Sequence, residues 1–163
     1  MRACVVVGLV FAVACMAMAG EEPKVRPNFG TGTFVSAEVA GEVVKWQLDL
    51  GGDAGKKTLE MAVEVKVQYL EKEGVKQAQS IRAAAGKDFR EMEGAVVGKG
   101  KFVSAKLDGE KVLVAIKPAE GDKNLEVVLP AKLMVVYRQD GEKLTAFSIG
   151  VVRTPRTPKA EAK

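Results

Sequence analysis

Apolar and polar residues alternate through much of this chain. Val44, Trp46, Leu48 and Leu50 alternate with Lys45, Gln47 and Asp49, and Met61, Val63, Val65, Val67 and Tyr69 alternate with Ala62, Glu64, Lys66 and Gln68. Successive side chains of a strand point to opposite faces, so this period of two predicts sheet with one buried side. The dipeptides Ala40-Gly41, Glu73-Gly74, Asp108-Gly109 and Asp140-Gly141 separate successive alternating runs. Tight hairpins need positive φ at such places, which glycine adopts freely. The pattern predicts strands near 33–39, 42–50, 58–70 and 75–83, and again near 101–107, 110–117, 124–138 and 142–152.

The second set repeats the first. Gly30-Thr31-Gly32-Thr33-Phe34-Val35-Ser36-Ala37 returns as Gly98-Lys99-Gly100-Lys101-Phe102-Val103-Ser104-Ala105, an offset of 68 residues. At the same offset Gly41-Glu42 meets Gly109-Glu110, Tyr69 meets Tyr137, and Ala78, Ser80 and Ile81 meet Ala146, Ser148 and Ile149. Leu59-Glu60 matches Leu125-Glu126 at an offset of 66 instead. That predicts a first-copy linker, Gly51 to Lys57, two residues longer than its partner, with a compensating insertion near Pro130. A fixed period of this kind marks a duplicated unit. One copy, about 50 residues, is near the lower limit for a stable core without staples. The expected fold is therefore all-β: two tandem four-stranded antiparallel repeats sharing one interior as an eight-stranded sandwich or closed barrel. A twofold relation between the halves is expected.

Segment 84–97 lies between the copies. Asp88 can cap a short helix through Phe89 to Glu93, with Gly94 ending it. The strand at 124–138 is apolar on both sides, with Leu129, Leu133 and Val135 on one and Val128, Met134 and Val136 on the other. The expectation is that Phe89, Met92 and Val96 cover the second side, or that a second subunit does so in a homodimer.

The two ends read differently. Met1-Arg2, an uncharged stretch from Ala3 to Met18 and the small-x-small site Ala17-Met18-Ala19 have the layout of a secretory signal peptide over 1–19. Cleavage after Ala19 implies a secreted or periplasmic protein, and lipidation at Cys15 is the alternative. On this reading only an uncleaved or lipidated N-terminus ties the chain to a membrane. Residues 20–29 form a linker, 30–152 a single β domain (30–83, the connection 84–97, and 98–152), and 153–163 a disordered basic tail.

Composition narrows the chemistry. Both cysteines, Cys4 and Cys15, fall inside the signal, and the chain has no histidine. A mature protein without either lacks a disulfide framework, Cys and His nucleophiles, and most zinc, copper and haem ligand sets. The formal net charge is +4; losing Arg2 leaves +3, and the tail carries +3 through Arg153, Arg156, Lys159 and Lys163 against Glu161. The folded part is thus neutral, which argues against a nucleic-acid partner.

Candidate chemistry is sparse. Phe34 and Phe102 read first as core residues or plugs of a sheet end; if Val35, Ala37 and Val39 instead face inward, the two rings stand outward as a ligand or partner patch. Trp46 faces the apolar side of its strand and reads as a core residue, with lining of a ligand pocket as the alternative, and Met134 marks the two-sided strand. Ser36, Ser104, Ser80 and Ser148 have neither a histidine nor a suitably spaced lysine base. Carboxylates Asp49, Asp53, Asp108, Glu110, Asp122, Asp140 and Glu142 cluster at turns, which turn chemistry already explains. The glycines Gly30, Gly32, Gly98 and Gly100 precede strands, unlike phosphate-binding loops, which need a helix behind them. The sequence thus predicts an exported, non-enzymatic structural or interaction domain without a cofactor, binding a protein or envelope component. A barrel holding a small apolar ligand, lined by Trp46, Tyr69 and Tyr137, is the alternative; a carboxylate-dependent hydrolase is the third reading.

Overall fold

The computed structural model describes residues 26–153. The expected signal peptide, Cys15, the first residues of the linker and the tail beyond Arg153 lie outside the described residues.

The chain is all-β, as its alternation predicts. Among the described residues ten strands follow one another: β1 (Asn28–Ala40), β2 (Val43–Asp49), β3 (Lys56–Ala62), β4 (Glu64–Lys72), β5 (Val75–Ala83), β6 (Ala95–Asp108), β7 (Lys111–Pro118), β8 (Leu125–Pro130), β9 (Lys132–Asp140) and β10 (Lys143–Val151). One sheet takes them in the order β3-β2-β1-β9-β10-β5-β4-β6-β7-β8 and closes twice, through β3–β10 and β5–β8. Two five-stranded rings result, joined where β10 pairs with β5. Each ring takes three strands from one half of the chain and two from the other. The halves are interlocked.

The count differs from the predicted eight because both long strands break. β3 belongs to one ring and β4 to the other, and the chain crosses between them at Val63. Its N–H donates to the Glu42 carbonyl, 2.9 Å, and its carbonyl accepts from Phe102 N–H, 2.8 Å. Ala131 does the same between β8 and β9, donating to Glu110 and accepting from Phe34, both at 2.8 Å. Hydrophobic period reports facing, not partners, so a strand that changes partners without changing faces looks continuous.

The offset of 68 holds throughout the ladders. Trp46 opposes Leu59 as Val114 opposes Val127, and Val44 opposes Met61 as Val112 opposes Leu129. The offset of 66 at Leu59-Glu60, the longer first linker and the insertion near Pro130 are therefore corrected. Sliding a strand by two residues keeps every side chain on its face, so alternation alone does not separate 66 from 68. Bulges fall at matched places too, between Phe34 and Ser36 and between Phe102 and Ser104.

Segment 84–94 is no helix. It is an irregular strap, and Ala95 already begins β6. A helix would need the carbonyls that the sheet takes: Lys66 donates to Gly86 O at 2.6 Å, Gln68 to Arg90 O at 3.0 Å and Arg82 to Asp88 O at 2.8 Å. Nor does the strap cover Met134 and Val136 as expected. It lies over β4 and β5, and Val96 is exposed.

Both interiors are filled by aliphatic and aromatic side chains. Leu48, Leu59, Leu133, Val135 and Ile149 are fully buried in the first ring, and Val65, Val67, Ile81, Ile116 and Leu129 in the second. Gly32 marks a close approach of chains, since a Cβ there would meet Asp49 O at 2.9 Å. Its counterpart Gly100 is as tightly placed against Lys117. These glycines serve packing within the strands.

Candidate functional site

Three of the four candidate residues come together in the core. Phe34 and Phe102 are each 3% exposed and Trp46 is fully buried, so the outward reading of the two phenylalanines is corrected. The bulge after each phenylalanine is the reason: Val35 and Val103 are extra residues that reverse the phase of alternation. Phe34 turns inward before the bulge, and Ser36 turns outward after it. Trp46 stacks edge-on between the two rings, 6.0 Å from Phe34 and 5.3 Å from Phe102. Phe102 belongs to the second ring, so this cluster spans the junction of the two. Trp46 Nε1 is buried and has no hydrogen-bond partner among the described residues. The cluster is part of the interior and offers nothing a ligand can reach.

Met134 stands elsewhere, on the outer face of the sheet where the rings join. There β1, β9, β10, β5, β4 and β6 run side by side. On the β4–β5 half, Lys66 opposes Arg82 and Gln68 opposes Ser80. On the β9–β10 half, the same positions hold Met134 opposite Gly150 and Val136 opposite Ser148. Ser80 and Ser148 share a hydrogen bond of 2.8 Å where the halves meet, so both hydroxyls are engaged.

The first half is covered. The strap hydrogen-bonds to Lys66, Gln68 and Arg82 as described, and Lys66 also pairs with Asp88 at 2.9 Å. Lys66 is 2% exposed although charged. Burial of an ammonium requires such compensation. The contact holds the Asp88 carboxyl below its usual range, first through the hydrogen bond from Lys66 and then through its charge. Phe89 lies over Arg82, whose guanidinium carbon is 4.8 Å from the ring centre, a cation–π arrangement.

The second half is bare. A groove of about 830 Å³ runs along it, floored by Met134, Val136, Ser148 and Gly150 and walled by the strap at Ala85–Lys87 and Arg90. Phe29 and Phe147, 69% and 43% exposed, stand beside it. Gly150 keeps the floor flat, because a Cβ there would come within 2.5 Å of Gln79 O. The charged residues lining the groove are Arg82, Lys87, Arg90, Arg138 and Arg153, and no carboxylate lines it among the described residues. Lys87 and Arg90 of the strap line this groove, while its carboxylates Asp88, Glu91 and Glu93 line a second concavity, which Arg90 and Lys99 also border.

The remaining candidates are structural in placement. Asp49 accepts from Gly51 N–H at 2.9 Å, and Asp53, Asp108, Glu110, Asp122, Asp140 and Glu142 are exposed at turns. Among the described residues no cluster of acidic side chains could hold a metal ion. Sequence reasoning missed Phe29, Phe147, Arg82 and the strap's role. A signal existed: pairing positions at the offset of 68 shows Lys66, Gln68 and Arg82 replaced by Met134, Val136 and Gly150.

Comparison with known proteins finds no matching family model, no significantly similar curated protein and no significantly similar solved structure.

Proposed function

We propose that this is an exported, non-catalytic binding module whose ligand seat is the groove over β9 and β10. The single observation that carries it is the pairing of a covered face with a bare one. Two halves built to the same register present matched outer faces with different residues; one is closed by the chain's own strap, and the other leaves Met134, Val136, Phe29 and Phe147 beside water. An apolar depression rimmed by polar residues is how binding sites differ from ordinary surface. The volume falls within the range of ligand sites, roughly 300–1,000 Å³. The small apolar ligand foreseen for the barrel lumen is better placed here, since side chains fill both rings. The offset of 68 in ladders, bulges and crossovers supports an origin in two fused copies. Export rests on the N-terminal pattern of residues 1–19, which favours a secreted or periplasmic location.

Anilinonaphthalene sulfonate, an apolar dye with one anionic group, tests the seat. The expected result is saturable binding near one dye per chain, lost in Val136→Asp and kept in Leu113→Asp, which changes an exposed apolar residue on another strand. Equal loss in both variants, or no saturable binding, would remove this reading.

A further inference from the structure

The bare groove also carries information about what fills it. We infer that its occupant is an extended acidic peptide segment bearing at least one large apolar side chain, supplied by a partner protein. This rests on the groove being the ligand seat.

The molecule shows how this face takes a peptide. The strap crosses β4 and β5 as a non-helical chain, its carbonyls held by Lys66, Gln68 and Arg82 and its Phe89 ring laid on a guanidinium. The groove is the same surface 68 positions on. There the floor is Met134 and Val136, so an occupant gains apolar contact where the strap gains hydrogen bonds. Extended segments are commonly read in this way, with pockets taking side chains while polar groups hold the main chain.

Charge decides the rest. Lys87 and Arg90 edge one side, and Arg138 and Arg153 lie beyond the floor, with no lining carboxylate among the described residues. Arginine forks match carboxylates bidentately, so acidic residues flanking the apolar anchor complete the site. The chain's own tail is a poor occupant: residues 154–163 carry Arg156, Lys159 and Lys163 against Glu161 alone and contain no large apolar side chain.

The probe is a fluorescein-labelled peptide copying residues 84–94 with Lys87 and Arg90 replaced by Glu. Anisotropy titration against the full protein should show one-to-one binding that weakens with salt. Affinity should fall roughly tenfold or more in the double variant Arg138→Glu, Arg153→Glu, both exposed positions. It should fall as far for a peptide in which Phe89 and Met92 become Ser, and for one whose acidic residues become Lys. Equal binding of the basic peptide, or unchanged binding to the double variant, would overturn the inference. So would dodecyl phosphate binding with the same residue dependence while the acidic peptide does not bind; that result assigns the groove to an anionic amphiphile. If the peptide fails while the dye still depends on Val136, the peptide is wrong and the seat stands. If the dye fails as well, both fall.

Discussion

The covered and bare halves of the outer sheet share their inward residues and differ at three outward ones. Facing inward, Val65, Val67, Tyr69, Ala78 and Ile81 correspond to Leu133, Val135, Tyr137, Ala146 and Ile149, the same or nearly the same residue each time. Facing outward between them, Lys66, Gln68 and Arg82 correspond to Met134, Val136 and Gly150. Inward positions answer to packing at close to crystal density, where a methylene matters. Outward positions are free of that demand, and here they have separated into a polar seat for the strap and an apolar floor with a basic rim. The proposed function rests on this contrast.

The largest expected effect comes from the place where matched interior positions differ most in size. Trp46 has Val114 as its counterpart, so Trp46→Val makes the two cores more alike. It also empties the space between Phe34 and Phe102, at a cost approaching the ~3–5 kcal/mol of truncating a buried aromatic. Urea unfolding measures it. A loss below about 1 kcal/mol would mean that the aromatic cluster does not hold the rings together.

Matched truncations sharpen the inward side of the comparison. Ile81→Ala and Ile149→Ala remove equivalent, fully buried side chains. Each should cost about 2–5 kcal/mol, and the two should agree within roughly 1 kcal/mol. A wide gap would show that the rings differ in rigidity despite their shared register.

The outward side is broken by Lys66→Met, which gives the covered half its counterpart's residue. Asp88 is exposed, so its release leaves no buried charge behind. Global stability should change by no more than ~1–2 kcal/mol, since replacing a buried charge and its polar contacts with apolar packing is often neutral. Limited proteolysis within 84–94 should rise several-fold. Unchanged cleavage would mean that Lys66 does not anchor the strap.

Acid should loosen the same contact more gently. The Asp88 carboxyl is held below its ordinary value of 3.8 in the folded protein. A depressed folded pKa gives stabilisation that is present above the ordinary value and lost as pH falls through the folded one. Hydrogen exchange in the strap should therefore quicken as pH drops below 3.8, beyond the intrinsic change, and Asp88→Asn should remove that dependence. The smallest effect belongs to Glu60–Lys143, an exposed pair of 2.9 Å beside the β3–β10 closure. Glu60→Gln should leave the urea midpoint within error, as for most surface pairs.

Much of this architecture was legible in the chain. Alternation and the glycine turns located nearly every strand, because period two and positive φ are local properties. Glu73 and Gly74 both take positive φ, at 52° and 77°, as the hairpin signal requires. Three things were not local. The crossovers at Val63 and Ala131 concern which strand is the partner; the bulges at Val35 and Val103 invert facing by one extra residue; and the strap's path depends on Lys66 and Gln68 reaching across 20 and 22 positions. The outward alternative for Phe34 and Phe102 failed on the second of these, while their core reading agrees with their burial. The groove was half visible: Met134 marked an apolar outer face, but its basic rim is assembled from β5, the strap, β9 and Arg153 just past β10.

Methyl NMR with anilinonaphthalene sulfonate tests the central claim most directly. The dye should shift the methyl signals of Met134, Val136 and Val151 in the bare half. It should leave Met92 and Val97 beside the strap, and Val114 and Ile116 inside the second ring, where they were. Shifts centred on Met92 and Val97, or on the interior methyls, would contradict the assignment of the bare half as the seat.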